Sequence, residues 1–125
     1  MPVSPSHIVQ IAVPIQDLAR AKKFYGETLG LAHLFDAPPS LAFYQCGETR
    51  LMLSPPSSEE VAKASILYYY VPRAAAAEAT LRADGVEIVE AAHCLARVGG
   101  NDIWLAVARD SEGNLLGLMS EEAAA

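Results

Sequence analysis

The side chains suited to acid–base or metal chemistry are few and widely spaced. The sequence contains three histidines, His7, His33 and His93, and two cysteines, Cys46 and Cys94. Imidazoles act as acids, bases and metal ligands, whereas two distant cysteines form neither a C-x-x-C pair nor a disulfide framework. His7 and His33 occupy positions near the terminus and at a strand start, which favours exposure to solvent. His93 opens the strand-like run His-Cys-Leu-Ala-Arg and is the histidine with the most interest for chemistry.

Composition limits the class of protein. The chain has 125 residues, 52% hydrophobic and 19% charged, which favours one globular unit or two short modules that share a core. A net charge of −6, with no basic cluster longer than Lys22-Lys23, disfavours nucleic acid and anionic membranes as partners. The sequence has no targeting pattern and no apolar run near the ~20 residues that span a bilayer. We expect a cytoplasmic protein with reduced cysteines.

The first half of the chain predicts a strand, a helix and three further strands. Residues 8–15 form an apolar, β-branched run, and Asp17 then offers an N-cap to an amphipathic helix that ends at Gly30. Three extended runs follow, at about 31–35, 41–46 and 49–54. The turn-forming stretch at about 54–63 is interpreted as a linker between modules.

The second half repeats this order. A strand at 65–71 precedes an alanine-rich helix from Arg73 to Ala83, and extended runs follow at about 86–90, 93–98, 102–109 and 114–119. A repeat of roughly 56 residues predicts an α+β fold of paired βαβββ modules, with curled, mostly antiparallel sheets around a cleft and helices outside. The modules are expected at about 6–54 and 64–121, as a single domain over 1–125.

Two segments carry a resemblance to a known family. The opening Ile-Ala-Val-Pro-Ile-Gln-Asp-Leu, followed by Ala-Lys-Lys-Phe-Tyr-Gly-Glu-Thr-Leu-Gly-Leu, resembles the start of vicinal-oxygen-chelate proteins, the group that includes glyoxalase I, bleomycin-resistance proteins and extradiol dioxygenases. The closing Arg109-Asp-Ser-Glu-Gly-Asn resembles the "D-P-x-G-N" hairpin of that family, with Ser111 in place of proline. Both segments are structural, so the resemblance implies the fold without naming a reaction.

The resemblance also implies where a metal would bind. Metal-dependent members use His, Glu or Gln side chains from four strands, and the equivalent positions here are Gln10, Met52, Ile66 and Gly117. Glutamine can ligate a divalent cation, but methionine suits hard cations poorly, and isoleucine and glycine offer no side-chain donor. The chain is therefore expected to lack the usual metal centre.

The same alignment lays out the residues expected to line the cleft. Alternation along 65–71 places Tyr68 beside the third ligand position, where its ring can stack on a flat ligand. Arg50 would supply a positive charge able to hold a carboxylate or enolate. The predicted ligand-binding residues are Gln10, Arg50, Met52, Ile66, Tyr68, Trp104, Gly117 and Met119. His93 is the candidate catalytic residue, because the resemblance extends to relatives with histidine there.

Two functions agree with this pattern. The favoured one is a metal-free, homodimeric protein, similar to bleomycin-resistance proteins, that sequesters a hydrophobic or aromatic small molecule and needs no cofactor. The alternative is an enzyme of the glyoxalase, epimerase or dioxygenase type that acts on a vicinal-oxygen substrate. It would use acid–base chemistry through His93, or a displaced Ni, Zn, Mn or Fe site built from His7, His93 and an acid such as Glu90 or Asp102.

Overall fold

Each half of the chain builds one sheet around a helix that follows its first strand. The computed structural model describes residues 2–124, apart from the side chains of residues 60 and 61. Two compact units meet in sequence between Ala64 and Ser65. The prediction of a single domain over 1–125 stays a prediction, and its two end residues lie outside the described part.

The first unit contains a four-stranded mixed sheet with one long crossover. Its elements are β1 (Gln10–Pro14), α1 (Leu18–Lys23), a π-helical turn (Phe24–Thr28), β2 (Ala32–Ala37), β3 (Leu41–Cys46), β4 (Thr49–Ser54) and α2 (Glu59–Ala62). The strand order is β1-β4-β3-β2, with β1 parallel to β4 and the other pairs antiparallel. The short α2 falls inside the predicted linker, which is therefore not wholly irregular; the side chains of residues 60 and 61 in that linker lie outside the described part.

Helix α1 begins and ends largely as the sequence predicts. The Asp17 carboxylate accepts the N–H of Arg20 at 3.1 Å, and Gly30 follows the helix with φ 75°, a conformation that favours glycine. The last turn is π-helical, with the N–H of Leu29 donating to the carbonyl of Phe24 at 2.9 Å. The Tyr44 hydroxyl donates to the Lys22 carbonyl at 3.2 Å, just where this turn starts. A side chain that bonds a helix carbonyl explains the departure from α-helical spacing.

The second unit repeats the arrangement. Its elements are β5 (Leu67–Tyr70), α3 (Ala74–Ala83), β6 (Ile88–Val98), β7 (Asn101–Arg109) and β8 (Leu115–Ala123). The strand order is β5-β8-β7-β6, with β5 parallel to β8. Both units thus have the βαβββ order, and the predicted α+β class is confirmed.

One prediction about the second unit was wrong. The separate runs at 86–90 and 93–98 are one strand, β6, whose pairing with β7 shifts register between Ile88 and Glu90, between Glu90 and His93, and between Cys94 and Ala96. Such β-bulges absorb extra residues without ending the strand. The gap between the two predicted runs therefore lies within a stretch of irregular pairing in one strand.

The hairpin between β7 and β8 is held by a buried carboxylate. Asp110 is 6% exposed, and its Oδ1 accepts the backbone N–H groups of Glu112 and Asn114, each at 2.8 Å. Its Oδ2 accepts the side-chain amide of Asn114 at 2.9 Å, and Gly113 adopts φ 87°. The turn predicted at Asp110–Asn114 is present.

The helices of the described residues are short. None of them is long and apolar enough to cross a membrane.

The Glu78 carboxylate links α3 to β6. Its Oε1 accepts the backbone N–H of Ala92 and its Oε2 accepts Nε of Arg82, both at 2.6 Å. These two bonds, that from Ala92 first, hold the pKa of Glu78 below its ordinary value of 4.5. The charged form is therefore favoured in the folded state.

We expect Glu78→Gln to remove an acid-sensitive part of the stability. Because the folded pKa lies below the unfolded one, the stabilisation is complete above the unfolded value and is lost as pH falls through the folded value. Urea unfolding should show a shallower loss of unfolding free energy for the variant between about pH 5 and about pH 3. The control is Glu87→Gln, which removes a weaker, 3.3 Å contact to Arg109. Parallel pH profiles for wild type and Glu78→Gln would contradict the assignment.

Candidate functional site

Each sheet has one face toward its helix and one face away from it, and the strand register assigns every residue to a face. In the first sheet Leu51 and Leu53 are 1% and 0% exposed and lie on the helix side with Ala21, Phe24 and Tyr25. Side chains alternate along a strand, so Arg50 and Met52 lie on the other side. We call this side the first distal face, made of Gln10, Arg50, Met52, Phe43 and Phe35, which the registers bring together.

Contacts run across the first distal face from β1 to β2. Arg50 Nε donates to Gln10 Oε1 at 2.8 Å, and the Gln10 amide nitrogen lies 3.8 Å from the sulfur of Met52. The Arg50 guanidinium lies 5.3 Å from the centre of the Phe43 ring, within cation–π range. Phe43 in turn stacks on Phe35 with ring centres 4.4 Å apart and planes 22° apart. The predicted residues Gln10, Arg50 and Met52 therefore meet.

Phe43 and Phe35 were missed by the sequence analysis. Alternation along 41–46 puts Phe43 on one side with Leu41 and Gln45, but only the pairing of Phe43 with Met52 says which side that is. The pairing of Phe35 with Phe43 follows a register shift after His33. Such a shift reverses parity locally, so periodicity alone does not place Phe35.

The side of the second sheet that faces away from α3, which we call the second distal face, carries two exposed tyrosines opposite Gly117 and Met119. Tyr68 and Tyr70 are 51% and 72% exposed, and β5 pairs them with Gly117 and Met119 of β8. A Cβ added to Gly117 would lie 2.2 Å from Cδ1 of Tyr68, so the tyrosine ring fills the space beside the glycine. The predicted residues Tyr68, Gly117 and Met119 therefore lie on one face, and Tyr68 is not a core residue.

His93 shares the second distal face. It pairs with Leu105, which pairs with Met119, which pairs with Tyr70, so these residues form one row across the four strands. Its Nδ1 lies 3.0 Å from the carbonyl oxygen of Ala91, an acceptor. A proton on Nδ1 makes this bond, which leaves Nε2 as the basic nitrogen of the neutral ring.

Trp104 lies on the opposite side of the second sheet from Tyr68, and Ile66 lies just outside the strand that carries Tyr68. Trp104 pairs with Ser120, and the Ser120 hydroxyl accepts the N–H of Ala74 at 3.0 Å at the start of α3. Trp104 thus lies on the helix side of the sheet, away from Tyr68, because it follows the parity of Ser120. Ile66 precedes β5 and has no strand partner in the register, and it is 39% exposed.

The four family ligand positions do not fit a divalent cation. Gln10 offers the single side-chain oxygen among them, and that oxygen already accepts from the positively charged Arg50. The Tyr68 ring occupies the space where a side chain at position 117 would start. Among the described residues no group of three His, Cys, Asp or Glu side chains lies close enough together to hold a metal ion. Asp102, one of the acids considered for a displaced site, binds Arg97 at 2.9 Å.

A separate cavity lies on the helix side of the first unit. It has a volume of about 470 Å³, and Lys22, His33 and Tyr44 are among its lining residues. Asp36 binds Lys22 at 2.8 Å and His33 at 2.7 Å. Lys22 first, and then His33, hold the pKa of Asp36 below its ordinary value. Asp36 is therefore the partner of two of the side chains that line the cavity.

We expect Gly117→Ala to destabilise the second unit by displacing the Tyr68 ring. Overpacking of this kind costs about 1–3 kcal/mol. Urea unfolding of Gly117→Ala, Tyr68→Ala and the double variant measures it, and most of the alanine cost should vanish in the Tyr68→Ala background. Equal costs in both backgrounds would mean that the ring does not occupy this space.

One family model covers most of the chain. The family model described as Glyoxalase/Bleomycin resistance protein/Dioxygenase superfamily matches residues 7–118. No curated protein sequence matches the chain significantly.

Several solved structures share the fold of this chain. An antibiotic-binding protein, TnmS3, from Streptomyces sp. CB03234 is 25% identical, with 97% of this chain and 100% of that chain covered and a TM-score of 0.73. A lactoylglutathione lyase from Agrobacterium tumefaciens is 21% identical, with 93% and 94% covered and a TM-score of 0.72. An integron cassette protein from V. cholerae is 19% identical, with 96% and 98% covered and a TM-score of 0.74.

Proposed function

The chain belongs to the Glyoxalase/Bleomycin resistance protein/Dioxygenase superfamily, and within this family we propose that it is a binding protein that sequesters a hydrophobic or aromatic small molecule. The observation that carries the proposal is the aromatic surface on the distal faces. Phe35, Tyr68 and Tyr70 are 46%, 51% and 72% exposed. Exposed rings beside a few polar groups suit a flat apolar ligand. TnmS3, a similar protein, is described as antibiotic-binding.

The proposal includes binding without a metal. A cation at the family position would lie beside the guanidinium of Arg50, which repels it, and would find one neutral oxygen, on Gln10. Divalent cations of the Ni, Zn, Mn and Fe group need several nitrogen or oxygen ligands. Repulsion and a poor donor set both oppose metal binding.

We also propose that the protein acts as a homodimer in the cytoplasm. The homodimer rests on the family resemblance. The cytoplasmic location rests on the cysteines, since Cys46 and Cys94 are unpaired thiols of the kind that reducing compartments maintain. Light scattering after size-exclusion chromatography measures the assembly directly.

Metal retention and ligand binding test the proposal together. After incubation with Ni, Zn, Mn or Fe(II) and desalting, elemental analysis should find far less than one equivalent of each ion. Calorimetry or ligand-observed NMR with 2-naphthoate, 2-naphthamide and 2-naphthylmethylamine should find saturable binding of at least one of them, unchanged by EDTA. Stoichiometric retention of any ion, or failure of all three probes to bind, would contradict the proposal.

A second candidate function is catalysis through His93. The row that holds His93 with Tyr70 and Met119, and the bond that leaves Nε2 basic, favour an acid–base group facing a ligand. Without a metal, an enediolate would need other positive charge nearby. The enzyme would then belong to the glyoxalase, epimerase or dioxygenase kind.

His93→Ala separates the two functions. For a binding protein we expect no turnover of the methylglyoxal–glutathione hemithioacetal by wild type, and probe affinities of the variant within about twofold of wild type. The control is His33→Ala, which changes a residue on the helix side of the first unit. Turnover by wild type that falls about 100- to 10,000-fold in His93→Ala, with probe binding intact, would establish the enzyme instead.

A further inference from the structure

The side-chain contacts of Arg50 differ from those of four other arginines of the chain. Arg73, Arg82, Arg97 and Arg109 each lie 2.6–3.6 Å from a carboxylate oxygen. Within residues 2–124, Arg50 instead bonds the neutral amide of Gln10 and packs on a phenyl ring. Its positive charge therefore has no anionic partner in the described part of the chain, although the residue is half-buried.

The guanidinium is oriented before any ligand arrives. Nε is used by Gln10, and one side of the group is near the Phe43 ring. Gln10 is itself held through Met52, so two side chains support the position of the charge. An arginine has five N–H donors, and the described residues supply a hydrogen-bond acceptor to Nε alone. The terminal nitrogens keep the two-pronged arrangement that binds a carboxylate.

Aromatic surface continues directly from this charge. Phe35 on β2 is paired with Phe43 on β3, and Arg50 on β4 is the diagonal neighbour of Phe43, so the two rings and the charge follow one another across three adjacent strands. The Phe35 ring is stacked on Phe43 and is 46% exposed. A flat molecule can therefore lay its ring against Phe35 while its anionic end reaches Arg50.

We infer that the ligand of the first distal face is an aromatic acid, a flat ring system that carries a carboxylate. This inference rests on the proposed binding function and narrows it to one chemical class. A half-buried cation without a counter-ion has lost part of its hydration, and an anionic ligand compensates that loss where a neutral one does not. The rings supply the affinity for the apolar part of the molecule.

The test compares an acid with its neutral amide. Wild type should bind 2-naphthoate about 10- to 100-fold more tightly than 2-naphthamide, the range of a hydrogen bond to a charged group. Arg50→Gln should abolish this preference while it retains binding of the amide, and Arg50→Lys should restore part of it. Arg97→Gln, which removes an arginine of the second unit, is the matched control and should leave the preference unchanged. The acid preference should shrink as salt is raised.

The possible outcomes separate the inference from the proposed function. Equal affinity of wild type for acid and amide, or a preference that survives in Arg50→Gln, overturns the inference and leaves the binding function standing. Failure of both compounds and of the amine to bind removes the proposed function itself. If Arg50→Gln does not fold, by circular dichroism, the acid-to-amide ratio of wild type and its salt dependence still decide.

Discussion

The parallel pairing between the first and last strand of each unit is the constraint on which both distal faces depend. The crossover through the helix brings β1 beside β4 and β5 beside β8, which sets Gln10 opposite Arg50 and Tyr68 opposite Gly117. Side chains alternate with a period of two, so this register decides which residues face the helix and which face away. A slip by one residue would bury Arg50 against the helix and expose Leu51. The large apolar side chains of β4 on the helix side prevent that slip, and the composition of the distal face follows from it.

The family ligand positions of the two units carry different chemistry. In the first unit the position on β1 holds Gln10, which is bound to Arg50, so the face carries positive charge. In the second unit the position on β8 holds Gly117, and the ring of Tyr68 across from it takes the space where a side chain would start. A glutamate at 117 would collide with Tyr68 through its first carbon. In this chain the glycine at position 117 therefore makes room for the ring of Tyr68.

Local signals predicted much of the fold and less of the site. The Asp17 cap, the strands 41–46 and 49–54, and the turn at Asp110 each depend on neighbours in sequence, so residue types were sufficient. The π-helical turn depends on the Tyr44 hydroxyl, which comes from another strand. The site also depends on contacts between distant parts of the chain. Phe35 pairs with Phe43 only after a register shift. Trp104 lies on the same side of the sheet as its partner Ser120, and that side is known because the Ser120 hydroxyl accepts the N–H of Ala74 at the start of α3. Periodicity within one strand gives two faces but does not say which of them faces the helix.

The residue at position 10 decides the sign of charge that the first distal face offers. A glutamate there would pair with Arg50, as four other arginines pair with acids, and the two charges would cancel. A histidine there would offer nitrogen to a cation but would not hold the guanidinium through a carbonyl oxygen. Glutamine uses its oxygen for Arg50 and its nitrogen for Met52 and carries no charge of its own. It therefore fixes the direction of the arginine and leaves the positive charge intact, and this combination favours an anion.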